Sequence, residues 1–159
     1  MSTHPNLAAI LLLAVAASNC AATPPPTPSA AEPAPALSAM IPAQRSGGKI
    51  GVPVDVRYQF SGVMVAGRPT NLQLAVIPRV QGENLRIELA ATPGVAVLAP
   101  SAPLKVGKAA AAGVYRHAFA LTHAANAPAK LPLIVSMEID GARFFSVFAI
   151  PLSADAPID

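Results

Sequence analysis

Leu131-Pro132-Leu133-Ile134-Val135-Ser136-Met137-Glu138-Ile139, closed by Asp140-Gly141, is the stretch that decides the fold class. Its odd positions are all large and apolar. A period of two marks a strand with one face turned to a core. Asp140-Gly141 supplies the positive-φ pair that a tight hairpin turn requires. The following strand, Arg143 to Leu152, therefore pairs antiparallel with the first.

The same rhythm extends back toward the N-terminus. In Val52-Pro53-Val54-Asp55-Val56-Arg57-Tyr58-Gln59-Phe60 the even positions are apolar and the odd ones mostly polar. Leu72, Leu74, Val76 and Val80 repeat the pattern after the break at Ala66-Gly67-Arg68-Pro69. Gln81-Gly82-Glu83-Asn84 reads as a turn. Leu85, Ile87 and Leu89 then face inward, with Arg86 and Glu88 outward. Thr92-Pro93-Gly94 leads into a short strand, Val95 to Leu98, and a minor strand follows at Leu104 to Val106. The run from Lys108 to Gly113 reads as a loop, because its four alanines are too few to hold a helix. Val114 to Thr122 is a strand with Tyr115, Phe119 and Leu121 inward.

Seven or eight short strands at spacings near ten residues, with no amphipathic helix, predict an all-β, antiparallel β-sandwich of about 105 residues. This rhythm, from Ile50 to Leu152, resembles the immunoglobulin-like and adaptin-ear-like modules of exported bacterial proteins. The Cys-Trp-Cys core of true immunoglobulin domains is missing, since the chain has one Cys and no Trp.

Composition changes sharply near residue 45. Every Lys and Arg lies at or after Arg45, and eight of the 18 prolines precede it. Leu7 to Ala17 is an unbroken apolar run, too short to cross a bilayer and of the length of a secretory signal core. The segment before it, Met1 to Asn6, has no Lys or Arg. Cys20 follows directly, in Ala16-Ala17-Ser18-Asn19-Cys20. This arrangement resembles the lipobox of bacterial lipoproteins, with Ala17 and Asn19 departing from the usual residues at those positions. The resemblance implies lipidation of Cys20, a membrane anchor and, with Ala21 next, an outer-membrane destination. Cleavage after Ala14-Val15-Ala16 or Cys20-Ala21-Ala22 is the alternative and yields a soluble periplasmic protein. A lone thiol in an exported chain is itself an oddity that lipidation removes.

The expected organisation is thus an export signal over residues 1–20, a disordered Pro/Ala-rich tether over 21–48, a sandwich over 49–153 and a tail over 154–159. A tether in polyproline II geometry, at ~3.1 Å per residue, would span roughly 60–70 Å.

The inventory speaks against most chemistry. His4 falls in the leader. His117 and His123, six residues apart on one strand, stand about 20 Å apart and share no ion. The domain has no Cys and no Gly-x-Ser-x-Gly. Asp55, Glu83, Glu88, Glu138 and Asp140 fall on outward positions or turns, where solvated charge is the default. From Arg45 onward eleven basic residues face seven acidic ones, and they are scattered singly, unlike a nucleic-acid footprint. No metal, cofactor or nucleic acid is expected, and no catalysis. Tyr58 and Tyr115 alone are too few for the stacking that sugar sites use.

The last strand breaks the alternation. Phe144, Phe145, Val147, Phe148 and Ile150 place apolar groups on both faces. A two-residue turn at Asp140-Gly141 sends Phe144, Phe148 and Ile150 inward and leaves Phe145 and Val147 outside; a three-residue turn reverses this. Phe144, Phe145, Val147 and Phe148 are therefore the candidate partner-binding residues. The expectation is a tethered binding or assembly module of the bacterial envelope that docks a protein through this strand. A periplasmic small-ligand carrier is the alternative and a hydrolase a distant third.

Overall fold

The computed structural model describes residues 35–47 and 51–152. The expected export signal with Cys20, residues 21–34 and 48 of the expected tether, residues 49, 50 and 153 of the expected sandwich and the tail over 154–159 lie outside them. Ten strands occur in the described residues: β1 Ile41–Pro42, β2 Gln44–Arg45, β3 Val54–Ser61, β4 Thr70–Pro78, β5 Gly82–Leu89, β6 Val95–Ala99, β7 Leu104–Ala109, β8 Tyr115–His123, β9 Lys130–Ile139 and β10 Ala142–Pro151. They form two five-stranded sheets. The first runs β1-β3-β4-β8-β6 and the second β2-β10-β9-β5-β7. Every pairing is antiparallel.

The inner faces carry the residues that the period-two reading selects. Val54, Val56, Tyr58, Leu72, Leu74, Val76, Phe119 and Leu121 of the first sheet meet Leu85, Ile87, Leu131, Leu133, Val135, Met137, Phe148 and Ile150 of the second in one buried cluster. This is a β-sandwich, held without any disulfide by apolar burial between the sheets. β7 continues to Ala109, longer than the Leu104–Val106 expected, because Ala109 packs into the core beside Gly82 of β5. Val80 falls past the end of β4 and is exposed.

The β9–β10 hairpin closes with Ile139 opposite Ala142, so the turn holds two residues, Asp140 and Gly141. Their φ values of 50° and 76° are those of the mirror-image turn whose twist matches the strands it joins. The two-residue alternative therefore sets the register of β10.

The tether expectation changes at its C-terminal end. Residues 35–45 form a strap across one side of the sandwich. A 3-10 turn at Leu37–Ala39 lies against the first sheet. The Arg57 guanidinium donates to the Leu37 carbonyl at 3.0 Å and Arg116 donates to the Pro35 carbonyl at 2.9 Å. Arg57 and Arg116 flank Ala75 of β4 across the register. Ala75 is fully buried although it points away from the core, and Met40 is buried with it. β1 then pairs with β3, Ala43 donates to the Val56 carbonyl, and β2 pairs with β10. The strap so joins the edge of one sheet to the edge of the other. Met40, buried, and Leu37, half-buried, are the apolar residues that let it dock where Ala, Pro, Thr and Ser could not.

Candidate functional site: the outer face of the second sheet

Register decides which candidate residues are available. Phe144, Ser146, Phe148 and Ile150 stand opposite Met137, Val135, Leu133 and Leu131, and so face the core. Phe148 is 3% exposed and lies under the Arg45 guanidinium, 5.8 Å from the ring centre. Phe144 is half-buried against the same cluster. These two belong to packing, which corrects their place among the candidate contact residues. Phe145 and Val147 point the other way. Phe145 is 68% exposed, an unusual state for the largest apolar side chain on a regular strand.

The neighbours of Phe145 make it part of a strip. Across the β9–β10 ladder Phe145 stands beside Ser136, Val147 beside Ile134, and Ala149 beside Pro132. Outward-facing Ile134, Val147, Ala149 and Pro132 are each half-buried. On the β5 side the strip is bordered by Arg86, next to Ser136, and Glu88, next to Ile134. Arg86 and Glu88 pair at 2.6 Å. Arg143 stands opposite Glu138 at the hairpin end. An apolar stripe with a paired, charged rim is the anatomy of a small docking face.

The edge of β10 adds main-chain capacity. β2 pairs only with Phe148 and Ala149, and Ser46 donates to the Val147 carbonyl. Among the described residues, no strand pairs with the outer edge of β10 between Ala142 and Ser146. Val147 turns its carbonyl to that edge. Backbone alternation gives Arg143 and Phe145 the same orientation, and Gly51 lies close against the edge at the Phe145 carbonyl. Ile134 carried this information in the sequence: it is an apolar residue in the polar register of β9, within the unbroken run Leu131–Val135.

The titratable groups lie apart from this face. His117 sits on the inner side of β8, edge-on to Phe119 with ring centres 4.4 Å apart. Burial holds its pKa below the ordinary histidine value, opposed by a backbone hydrogen bond with Ala102. Its Nε2 is buried without a partner, and so is that of His123, whose Nδ1 lies 3.2 Å from the Ala124 carbonyl. Tyr58 is raised by burial. Asp55 is lowered, chiefly by its hydrogen bond from Arg79. A recess of about 620 Å³ at the β5–β7 and β9–β10 ends is lined by Glu83, Glu138, Asp140 and Lys108. Glu138 there accepts from the Asn84 amide at 2.8 Å. Among the described residues, no three His, Cys, Asp or Glu side chains converge as metal ligands.

No protein-family model matches the chain, and no curated protein sequence matches it. The functional reading therefore rests on the geometry of the faces.

Proposed function

We propose that the chain is a non-catalytic envelope protein whose sandwich, tethered by its N-terminal segment, docks a protein partner on the outer face of the second sheet with Phe145 as anchor. The observation that carries this reading is the 68% exposure of Phe145 beside Val147 and Ile134. A partner that covers this face gains an aromatic contact together with the apolar strip of Val147 and Ile134. Aromatic anchors of this kind dominate the energetics of interfaces.

The finer fold assignment belongs to the same proposal. The strand orders β3-β4-β8-β6 and β7-β5-β9-β10 support an immunoglobulin-like reading, in which they correspond to ABED and C′CFG. The chain visits the D position, β6, before the C′ position, β7, so one connection is exchanged relative to that pattern. Anchoring through lipid on Cys20 completes the proposal and would hold the module at the outer membrane with its docking face free.

Site-specific photocrosslinking in intact envelopes tests it. A photoreactive residue at Phe145 or Val147 should yield one shared adduct that is absent when the probe is placed at Val63, which is 80% exposed on the β3–β4 loop. Phe145→Glu should abolish the Val147 adduct while leaving the fold intact. Equal labelling at Val63 and Phe145 would refute docking. Intact mass before and after Cys20→Ser, with membrane fractionation, reads the anchor separately.

A further inference from the structure

The strap crosses from the first sheet to the second at Ala43, and beneath that crossing lies a cleft of about 630 Å³. Arg45, Arg57, Arg79 and Asp55 stand around it, with Val56 and Phe148 beneath. Each guanidinium is held by one partner. Arg45 Nη2 donates to the Val52 carbonyl at 2.6 Å, Arg57 Nη1 to the Leu37 carbonyl at 3.0 Å, and Arg79 Nη2 and Nε to the Asp55 carboxylate at 2.6 and 3.2 Å. A guanidinium has five N–H donors, so each retains donors beyond those bonds and is already oriented.

The charge around the cleft is uneven. Three arginines face a single carboxylate, a formal +2. Of the five carboxylates in the described residues, the other four, Glu83, Glu88, Glu138 and Asp140, lie in β5, in β9 and in the turn after β9. All three cations are arginine. The planar fork of arginine matches the paired oxygens of phosphate, and it sheds water more readily than an ammonium does.

We infer that this cleft is a binding site for a divalent oxyanion of phosphate chemistry, whose two charges balance the formal +2. Arg57 on β3 and Arg79, just past the end of β4, flank the entry, and Arg45 closes it from β2. The ligand comes either as free phosphate or as the headgroup of a phospholipid. The site uses none of the residues of the docking face, so it stands or falls independently of Phe145. Asp55 acts as the internal competitor: it pairs with Arg79 and yields part of that guanidinium to the ligand.

The test is an amide-resolved NMR titration of the full chain carrying Cys20→Ser. The probes are inorganic phosphate, sodium chloride at matched ionic strength, and vesicles of phosphatidylcholine with or without phosphatidic acid. Saturable shifts at residues 53–57 and 79 with phosphate or phosphatidic acid, and not with chloride, are expected. Response to phosphate identifies a soluble ligand; response to phosphatidic acid vesicles alone identifies a headgroup. Arg79→Gln should weaken binding about fivefold, and Asp55→Asn should tighten it by a similar factor. Neither variant touches the bonds that hold the strap. The opposite signs separate a binding site from a structural ion pair, whose two members would fail together. Shifts that follow ionic strength equally in chloride, or variants that move affinity in the same direction, would overturn the inference.

Discussion

Replacing Met40 with Ala tests whether the strap is part of the folded unit. Met40 lies in the segment whose composition reads as tether, yet it is 3% exposed, against the outer side of the first sheet near fully buried Ala75. Arg116, which crosses to the strap carbonyl of Pro35, also places Nη1 3.8 Å from the Met40 Sδ. Burying a methionine side chain stabilises a fold by about 1.5–3 kcal/mol. Truncation to alanine adds a cavity term, giving about 2–5 kcal/mol in a deep core. Met40 belongs to a short strap that can settle onto the sheet, so the lower part of that range applies, about 2–3 kcal/mol. For a domain of this size that is a fall in Tm of roughly 10 °C. Urea unfolding of Met40→Ala beside the parent reads the difference directly, with Met40→Leu as the volume-conserving control that should lose less than about 1.5 kcal/mol. A loss below about 0.5 kcal/mol for Met40→Ala, with unchanged slope, would refute the argument. Residues 35–45 would then be a passenger, and the arginine cleft beneath them would have no roof.

Four further outcomes follow from local geometry. A Cβ on Gly82 would lie 2.7 Å from the Glu138 carbonyl and 2.8 Å from Met137, so Gly82→Ala should cost about 1–3 kcal/mol. Gly107→Ala, whose Cβ meets nothing within 4 Å, should be neutral or slightly stabilising in the same denaturant series. Burial depresses the pKa of His117, so the unfolded chain binds the proton more readily. Its contribution is whole above the unfolded value near 6.5 and falls as pH drops below it. Stability should therefore decline between about pH 7 and pH 5, and His117→Gln should flatten that decline in pH-dependent unfolding. Arg79 depresses the pKa of Asp55, so this pair adds stability above the ordinary carboxylate value and loses it in acid. The pair is largely exposed, and acid titration of Asp55→Asn against the parent should show only a small difference, which shrinks in high salt.

The inner faces were legible from the sequence because burial of one side writes a period of two that few other constraints disturb. Leu131, Leu133, Val135 and Met137 are each fully buried, as that period requires. Asp140-Gly141 made the register of β10 legible up to a choice between two turn lengths, and the choice moved Phe148 from surface to core. The strap was hidden for a different reason. Its strands are two residues long, too short to show any period, and they sit in Ala- and Pro-rich surroundings that dominate a compositional reading. What distinguished residues 37–41 was the return of large apolar side chains, a weak signal that acquires meaning only once Ala75 is seen to need a cover.

The two candidate sites differ in legibility for the same physical reason. Phe145 could be found in sequence because an outward aromatic on a strand contradicts a local pattern. The arginine cleft could not, because Arg45, Arg57 and Arg79 each occupy an unremarkable polar position on separate elements, and only the crossing of the strap brings Arg45 to the other two. Their convergence has a consequence for how the module is assembled. Arg45 and Arg57 hold the strap through the Val52 and Leu37 carbonyls, so an anion that drew on their remaining donors would bind only while the strap is seated. Ligand affinity and strap docking are then linked quantities. Met40→Ala should weaken phosphate binding by the fraction of molecules whose strap is released, even though Met40 itself touches no anion. The same substitution should leave photocrosslinking from Phe145 unchanged as long as the sandwich stays folded. An equal loss at both faces would mean that strap and sandwich open as one unit, and that the cleft has no separate equilibrium for a ligand to act on.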